Sequence, residues 1–290
     1  MTVSWADAPV QTTPQLSLRV ACAQGEKAAS FIAAQYATYP FRLSGNLRLD
    51  LGDPQRVYAY VMNASPGILA GDNLRLAVEV GDRASLYLTD QSATKVHSRP
   101  ANGATARLTY SIQVGAGAYL EYVPEPVILF AAAALTQQMQ ITLHPQGRLV
   151  LSEIVVPGRL AKGEFYQFEQ FQSRLQVQTS EGKRCFTDNF RLFGQTNRFQ
   201  HHLFVTKWPV MGNFVIIAPG VALDDLSQAL QSCPISIDEL QVGDSPLPGC
   251  HGLLVRAIAT RVSLLNDYQR HLINCVRQLS RQPPLPAVPK

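Results

Sequence analysis

Val78-Glu79-Val80-Gly81-Asp82-Arg83-Ala84-Ser85-Leu86-Tyr87-Leu88-Thr89-Asp90 reads as a strand, a tight turn, a second strand and a closing acid. The pattern recurs downstream. Ile141 to Leu143, then His144-Pro145-Gln146-Gly147, then Arg148-Leu149-Val150-Leu151-Ser152-Glu153 repeats it. A weaker copy is Leu175-Gln176-Val177, Glu181-Gly182 and Arg184-Cys185-Phe186-Thr187-Asp188. Between the first two lies Ile112-Gln113-Val114-Gly115-Ala116-Gly117-Ala118-Tyr119-Leu120-Glu121-Tyr122-Val123, followed by Pro124-Glu125. Strand side chains alternate faces with period two. Leu86, Leu88 and Asp90 therefore share a face, as do Leu149, Leu151 and Glu153. A carboxylate on the apolar face of stacked strands costs free energy unless it is paired or hydrated. Inward acids that recur mark a place where charge has a use.

Outward from these repeats, Leu16 to about Val221 is a series of short β-like runs broken by Gly, Pro, Asn or Asp. They include Leu16–Cys22, Val57–Met62, Leu74–Val80, Ala106–Val114 and Phe214–Ile217. Regular strand and turn signals predict a mainly β fold, and recurring strand–turn–strand units predict a layered, β-helix-like stack of hairpins. An ordinary sandwich with similar hairpins is the alternative. Helical spacing comes late. Asp224-Asp225-Leu226 opens a helix near 224–232, and Val262, Leu265, Tyr268, Leu272, Cys275, Val276 and Leu279 form one face of the main helix, 262–280. That face docks on the β body or on a partner. The expected organisation is a mobile segment 1–15, a single β domain 16–281, and a Pro-rich tail 282–290 as an exposed end.

Composition narrows the function. The 290 residues are 46% hydrophobic and 16% charged, enough for a packed core, with a surface poor in charge that hints at cover by a partner. A net charge of +4 with scattered basic residues argues against nucleic acid. Five cysteines without a C-x-x-C pair suit reduced thiols in the cytoplasm. Met1 to Pro14 does not read as a signal peptide, and the longest apolar run, Val127 to Leu135, is far short of a membrane span.

Familiar catalytic motifs are missing: no G-x-x-x-x-G-K-[ST], no G-x-G-x-x-G between strand and helix, no H-E-x-x-H and no G-x-S-x-G. Ser92-Ala93-Thr94-Lys95 matches the S-x-x-K of serine acyl-transferases, and Thr187-Asp188-Asn189 mimics their S-D-N. K-T-G is absent, and Val96-His97-Ser98-Arg99-Pro100 leaves no room for the core helix that S-x-x-K must start. A hydrolase using Ser92 and Lys95 is thus the weakest alternative. Adjacent His201 and His202 on a strand face opposite sides and cannot easily share a metal. Cys250-His251, beside a Pro-Gly turn, is a structural turn before it is a ligand pair.

Four motifs, in order, carry a resemblance. They are Ser65-Pro66-Gly67-Ile68-Leu69-Ala70-Gly71-Asp72; Thr89-Asp90-Gln91-Ser92-Ala93-Thr94-Lys95-Val96-His97; Leu120-Glu121-Tyr122-Val123-Pro124-Glu125-Pro126 with Ile128-Leu129-Phe130; and Glu153-Ile154-Val155-Val156-Pro157-Gly158-Arg159 followed by Gly163-Glu164. With the early Tyr39-Pro40-Phe41, they resemble the urease accessory protein UreD (UreH) family, in order from about residue 16 to 195. Ala70 stands where the family often has glycine, and His97 and Tyr122 replace frequent aromatics. The resemblance implies a layered β-helical body without chemistry of its own. It also implies a complex with a UreF-type scaffold and a UreG-type GTPase on apo-urease, and nickel(II) in transit through an internal, water-filled passage rather than a bound cofactor.

On that expectation the residues that would meet nickel are Asp72, Glu153, Glu164, Glu125 and Asp90, with His97. Glu153, on a strongly apolar strand, is the foremost. Carboxylate, water and occasional imidazole release a late first-row metal more readily than thiolate does. Asp72 is equally well read as an Asx-type turn cap, and Lys95 either neutralises buried acids or faces solvent. Pro66, Gly67, Gly71, Pro157, Gly158 and Arg159 are expected to shape the loops that carry these side chains.

Overall fold

The structure is a computed structural model that describes residues 13–25, 28–50, 55–194 and 206–289. In chain order its strands begin with β1 (Leu16–Cys22), β2 (Ser30–Ala37), β3 (Phe41–Leu43), β4 (Val57–Asn63), β5 (Asn73–Val80) and β6 (Ser85–Asp90). They continue with β7 (Thr94–Val96), β8 (Ala106–Val114), β9 (Tyr119–Val123), β10 (Val127–Leu129), β11 (Ala134–Leu143) and β12 (Arg148–Val156). The last are β13 (Gln170–Thr179), β14 (Arg184–Phe193), β15 (Val210–Ile217), β16 (Leu240–Pro246) and β17 (Gly252–Ala259). Helices α1 (Leu223–Gln231) and α2 (Val262–Leu279) lie where the apolar spacing puts them.

The strands form two sheets. One has seven strands in the order β14-β13-β11-β8-β5-β1-β2, and the other has ten, with the path β16-β17-β15-β12-β9-β6-β4-β3. Within the first, β1, β5, β8, β11 and β13 run parallel; within the second, β4, β6, β9 and β12 do. The chain thus winds between sheets: β5 to β6, β8 to β9, β11 to β12. The layered, β-helix-like reading holds, but the first two repeats are not hairpins. Their turns are arches that carry the chain from one sheet to the other, so the strands on either side face each other through side chains. Only the weakest repeat, β13 with β14, is an antiparallel hairpin.

Turn chemistry cannot distinguish an arch from a hairpin, because both need a sharp reversal. Stacking does. The Asp82 carboxylate accepts the Ala116 N–H of the next arch at 2.8 Å, and Gly115 N–H donates to the Val80 carbonyl at 2.9 Å. A Cβ on Gly115 would lie 2.4 Å from Asp82 Oδ1, so the arches stack this closely only with glycine there.

Two apolar layers result. Leu86, Leu88, Leu149, Leu151 and their neighbours fill the space between the sheets. The other parity of the ten-stranded sheet, including Tyr87, Val150 and Phe214, packs under α1 and α2. The amphipathic C-terminal helix therefore docks on its own body. So does the tail, against the expectation of an exposed end: Leu285 is buried, its N–H donates to Asn274 Oδ1 at 2.8 Å, and Tyr60 OH donates to the Pro289 carbonyl at 2.8 Å. Of segment 1–15, residues 1–12 lie outside the described residues; Gln15 is tied down, accepting from Thr38 and Arg75 N–H groups. His201 and His202 also lie outside them.

Candidate functional site

Between the sheets, among the side chains that point inward, is a cavity with about 50 Å³ open to the centres of water molecules, room for a few waters. Asp90, Glu153 and Asp188 line it, as does Glu125. These first three are the acids that close the three repeats. A second hollow of about 30 Å³ shares Asp90, Tyr110 and Tyr122 with the first and extends it toward Asn63 and Ser92. The inward parity read from the alternation is thus what brings the acids together.

Glu153 stands in mid-strand on β12, which runs on to Val156 rather than ending at the acid. Its carboxylate accepts from Gln137 Nε2 at 2.6 Å, Ser173 Oγ at 2.8 Å and Asn213 Nδ2 at 3.2 Å. All three donors are uncharged. Burial pushes the Glu153 pKa up, the Ser173 and Asn213 hydrogen bonds pull it back, and the Asp188 charge adds to the rise. At the other end, burial and then the Asp90 charge hold the Tyr110 hydroxyl protonated; its ring centroid is 6.0 Å from that of Tyr122. Glu153 is therefore met by dipoles, whereas Asp188 on the same cavity pairs with Arg256 at 2.7 Å.

The remaining expected residues sit elsewhere, each with a local partner. Asp72 does not line the cavity; its Oδ2 accepts the Leu69 N–H at 2.8 Å, the turn-cap reading. Glu164 forms a two-pronged pair with Arg159, whose hydrogen bond holds the Glu164 pKa down to about 2. The pair closes the loop after Pro157, where Gly158 has φ 144 and a Cβ would fall 2.4 Å from the Glu164 carbonyl oxygen. Arg159 also lies over Phe130 at 4.4 Å. His97 packs edge-on against Phe130 at 5.0 Å, with Nε2 3.1 Å from the Pro66 carbonyl. Lys95 is exposed on β7, and Gly67 and Gly71 occupy positive-φ turns at either end of the Ile68 to Ala70 loop. The Ser92–Lys95 stretch is a turn and a short strand, not the start of a helix. His251 Nε2–H donates to the Val221 carbonyl at 2.6 Å, the structural role expected of Cys250-His251.

Several residues escaped the sequence reading. Asp188 was visible as the acid of the third repeat but stood in the weakest copy. Gln137, Ser173 and Asn213 come from three other strands and carry no local signal. Glu121 lies in a quoted motif, yet it faces the helices. Arg277 of α2 grips it through Nε at 2.9 Å and Nη2 at 2.6 Å, while Asp50, Arg56 and Tyr58 complete a buried, charge-balanced cluster. Burial would raise the Glu121 pKa, but Arg56 and Arg277 outweigh it and the net shift is downward.

Among the described residues no group of three or more His, Cys, Asp or Glu side chains is placed to hold a metal ion, and no helix is long and apolar enough to cross a membrane. What the fold and cavity define is a stacked-arch β body with a helical cover and an acid-lined interior. The chain belongs to the UreD family: the family described as UreD urease accessory protein matches residues 13–290. It is 42% identical over 285 residues to the urease accessory protein UreD of Trichodesmium erythraeum, covering 96% of this chain and all of the relative. It is 34% identical to the UreD of Haloarcula marismortui, covering 78% of this chain and 74% of that one. To the UreD of Cenarchaeum symbiosum it is 26% identical over 80% of this chain and 81% of the relative.

Proposed function

We propose that this protein is a non-enzymatic accessory scaffold in urease maturation, and that its interior cavity is a passage for nickel(II) on its way to the urease active site. Family membership supports the maturation role. The single observation that carries the passage is the convergence of Asp90, Glu153 and Asp188 on one cavity between the sheets. A carboxylate such as Glu153, met by uncharged oxygen and nitrogen donors, attracts a hydrated divalent cation. Among the described residues no closed ligand set surrounds it, so the ion can leave again. On this reading the protein works in the cytoplasm, joined to a UreF-type scaffold and a UreG-type GTPase on apo-urease, and the GTPase supplies the nucleotide chemistry for which this sequence has no loop.

The test replaces Glu153 with Gln and Asp90 with Asn in cells holding the whole accessory set and apo-urease. Urease activation at limiting nickel is expected to fall roughly tenfold or more, with the accessory complex still recovered by pull-down. Full activation with the complex intact would leave a pure interaction scaffold, the reading favoured by the structural duties of Asp72 and Glu164.

A further inference from the structure

Glu153, Asn213 and Arg256 occupy one level of the ten-stranded sheet, on adjacent strands β12, β15 and β17. The row runs from the cavity to the seam where the edge strand β14 of the other sheet comes alongside. Asn213 donates to Glu153 and accepts Arg256 Nη1 at 2.9 Å on its amide oxygen. Arg256 Nη2 reaches across to Asp188 Oδ1 on β14, at 2.7 Å. Phe190, two residues further along β14, lies 5.8 Å from the guanidinium carbon. One guanidinium thus stitches the two sheets together over two residues that line the cavity. The Arg256 side chain is 43% exposed and Asp188 20%, so the stitch lies between the cavity and bulk water.

We propose that Arg256 is a displaceable latch on the Glu153 end of the cavity, exchanging with a divalent cation for the Asp188 carboxylate; this rests on the passage reading above. Charge makes the two states alternatives. With the latch closed, Glu153, Asp188 and Arg256 sum to a single negative charge. With the guanidinium swung into water, two carboxylates remain, which one divalent cation neutralises. A half-exposed ion pair is weak and its arginine rehydrates on release, so the exchange is accessible. The fully buried Arg277 has no such exit.

The experiment uses the full chain with Ser173→Cys as a reporter inside the cavity, labelled by a small cationic methanethiosulfonate and read by peptide mass, with the native cysteines as internal standards. Arg256→Gln is expected to speed labelling at position 173 about tenfold, Asp188→Asn to do the same from the other side, and Arg256→Lys to do less. Thermal melts check that each variant is folded. Nickel(II) binding to the chain without the reporter, by equilibrium dialysis, is expected to tighten about tenfold in Arg256→Gln and not in Arg256→Gln with Glu153→Gln. Unchanged labelling in both latch variants overturns the latch. Faster labelling with unchanged nickel binding overturns the exchange. Loss of the latch alone leaves the Glu153-dependence of activation intact, whereas failure of the passage reading removes that dependence with the labelling difference still present.

Discussion

Glu121 and Glu153 sit on adjacent strands of one sheet, the first fully buried and the second partly, on opposite faces, and the protein treats them in opposite ways. Glu121 faces the helices and meets two arginines, Arg277 and Arg56, in a cluster that balances its charge. Glu153 faces the other sheet and meets an amide from Gln137, a hydroxyl from Ser173 and an amide from Asn213. The first pKa is driven down and the second up. A buried carboxylate with its own cation is architecture. One held only by dipoles keeps a charge that an incoming cation can still use. The contrast separates the side of the sheet that holds the fold together from the side that offers a site.

The hardest blow to this contrast is Arg277→Ala. It leaves the buried Glu121 and Asp50 to share Arg56 alone, and unfolding free energy is expected to drop by about 3–5 kcal/mol in chemical denaturation. A loss well under 1 kcal/mol would mean that the helix side is not the structural side. Next comes Leu285→Ala, which empties a buried position where the tail crosses the helix layer. A loss of about 2–3 kcal/mol is expected, and none if the tail does not dock in solution.

Acid titration sharpens the comparison, because the two glutamates pull in opposite directions. The folded pKa of Glu121 lies below its ordinary value near 4.5, so its contribution is present above that value and is lost as pH falls through the lower, folded one. The folded pKa of Glu153 lies above 4.5, so the folded chain keeps a proton the unfolded chain has released, and stability declines as pH rises through the window between the two. Glu153→Gln is expected to flatten that decline and to leave stability at pH 7 unchanged or higher by about 1 kcal/mol, while nickel-limited activation falls. A strongly destabilised Glu153→Gln would place Glu153 with the architecture. The smallest effect is expected of Asp72→Ala: one turn hydrogen bond, about 0.5–1.5 kcal/mol in a thermal melt, with activation at limiting nickel unchanged.

Much of this was legible from alternation alone. Period two put Asp90, Glu153 and Asp188 on the inward parity, and all three line the cavity. The period of the late apolar residues placed α2 as Val262–Leu279. Where the reading went astray, the deciding partner was either very local or very distant. Of the two readings open for Asp72 the structure has the turn cap, on Leu69 N–H, while Glu164 looked like a free acid because nothing in its motif reveals that the carboxylate will bend back onto Arg159. The arches looked like hairpins because a turn's residues prescribe the reversal and not the sheet that the second strand joins.

Sequence by itself determined which side chains turn inward, since backbone geometry fixes the parity of a strand wherever the strand goes. It also determined that an amphipathic helix follows the strands and that no phosphate-loop motif is present. Only the tertiary structure decided which acids meet a cation and which meet dipoles. That depends on residues far apart in the chain meeting across sheets and layers: Arg277 reaching Glu121, and Gln137, Ser173 and Asn213 closing around Glu153. A carboxylate's neighbours, not its own position in a strand, set whether it is a brace or a site.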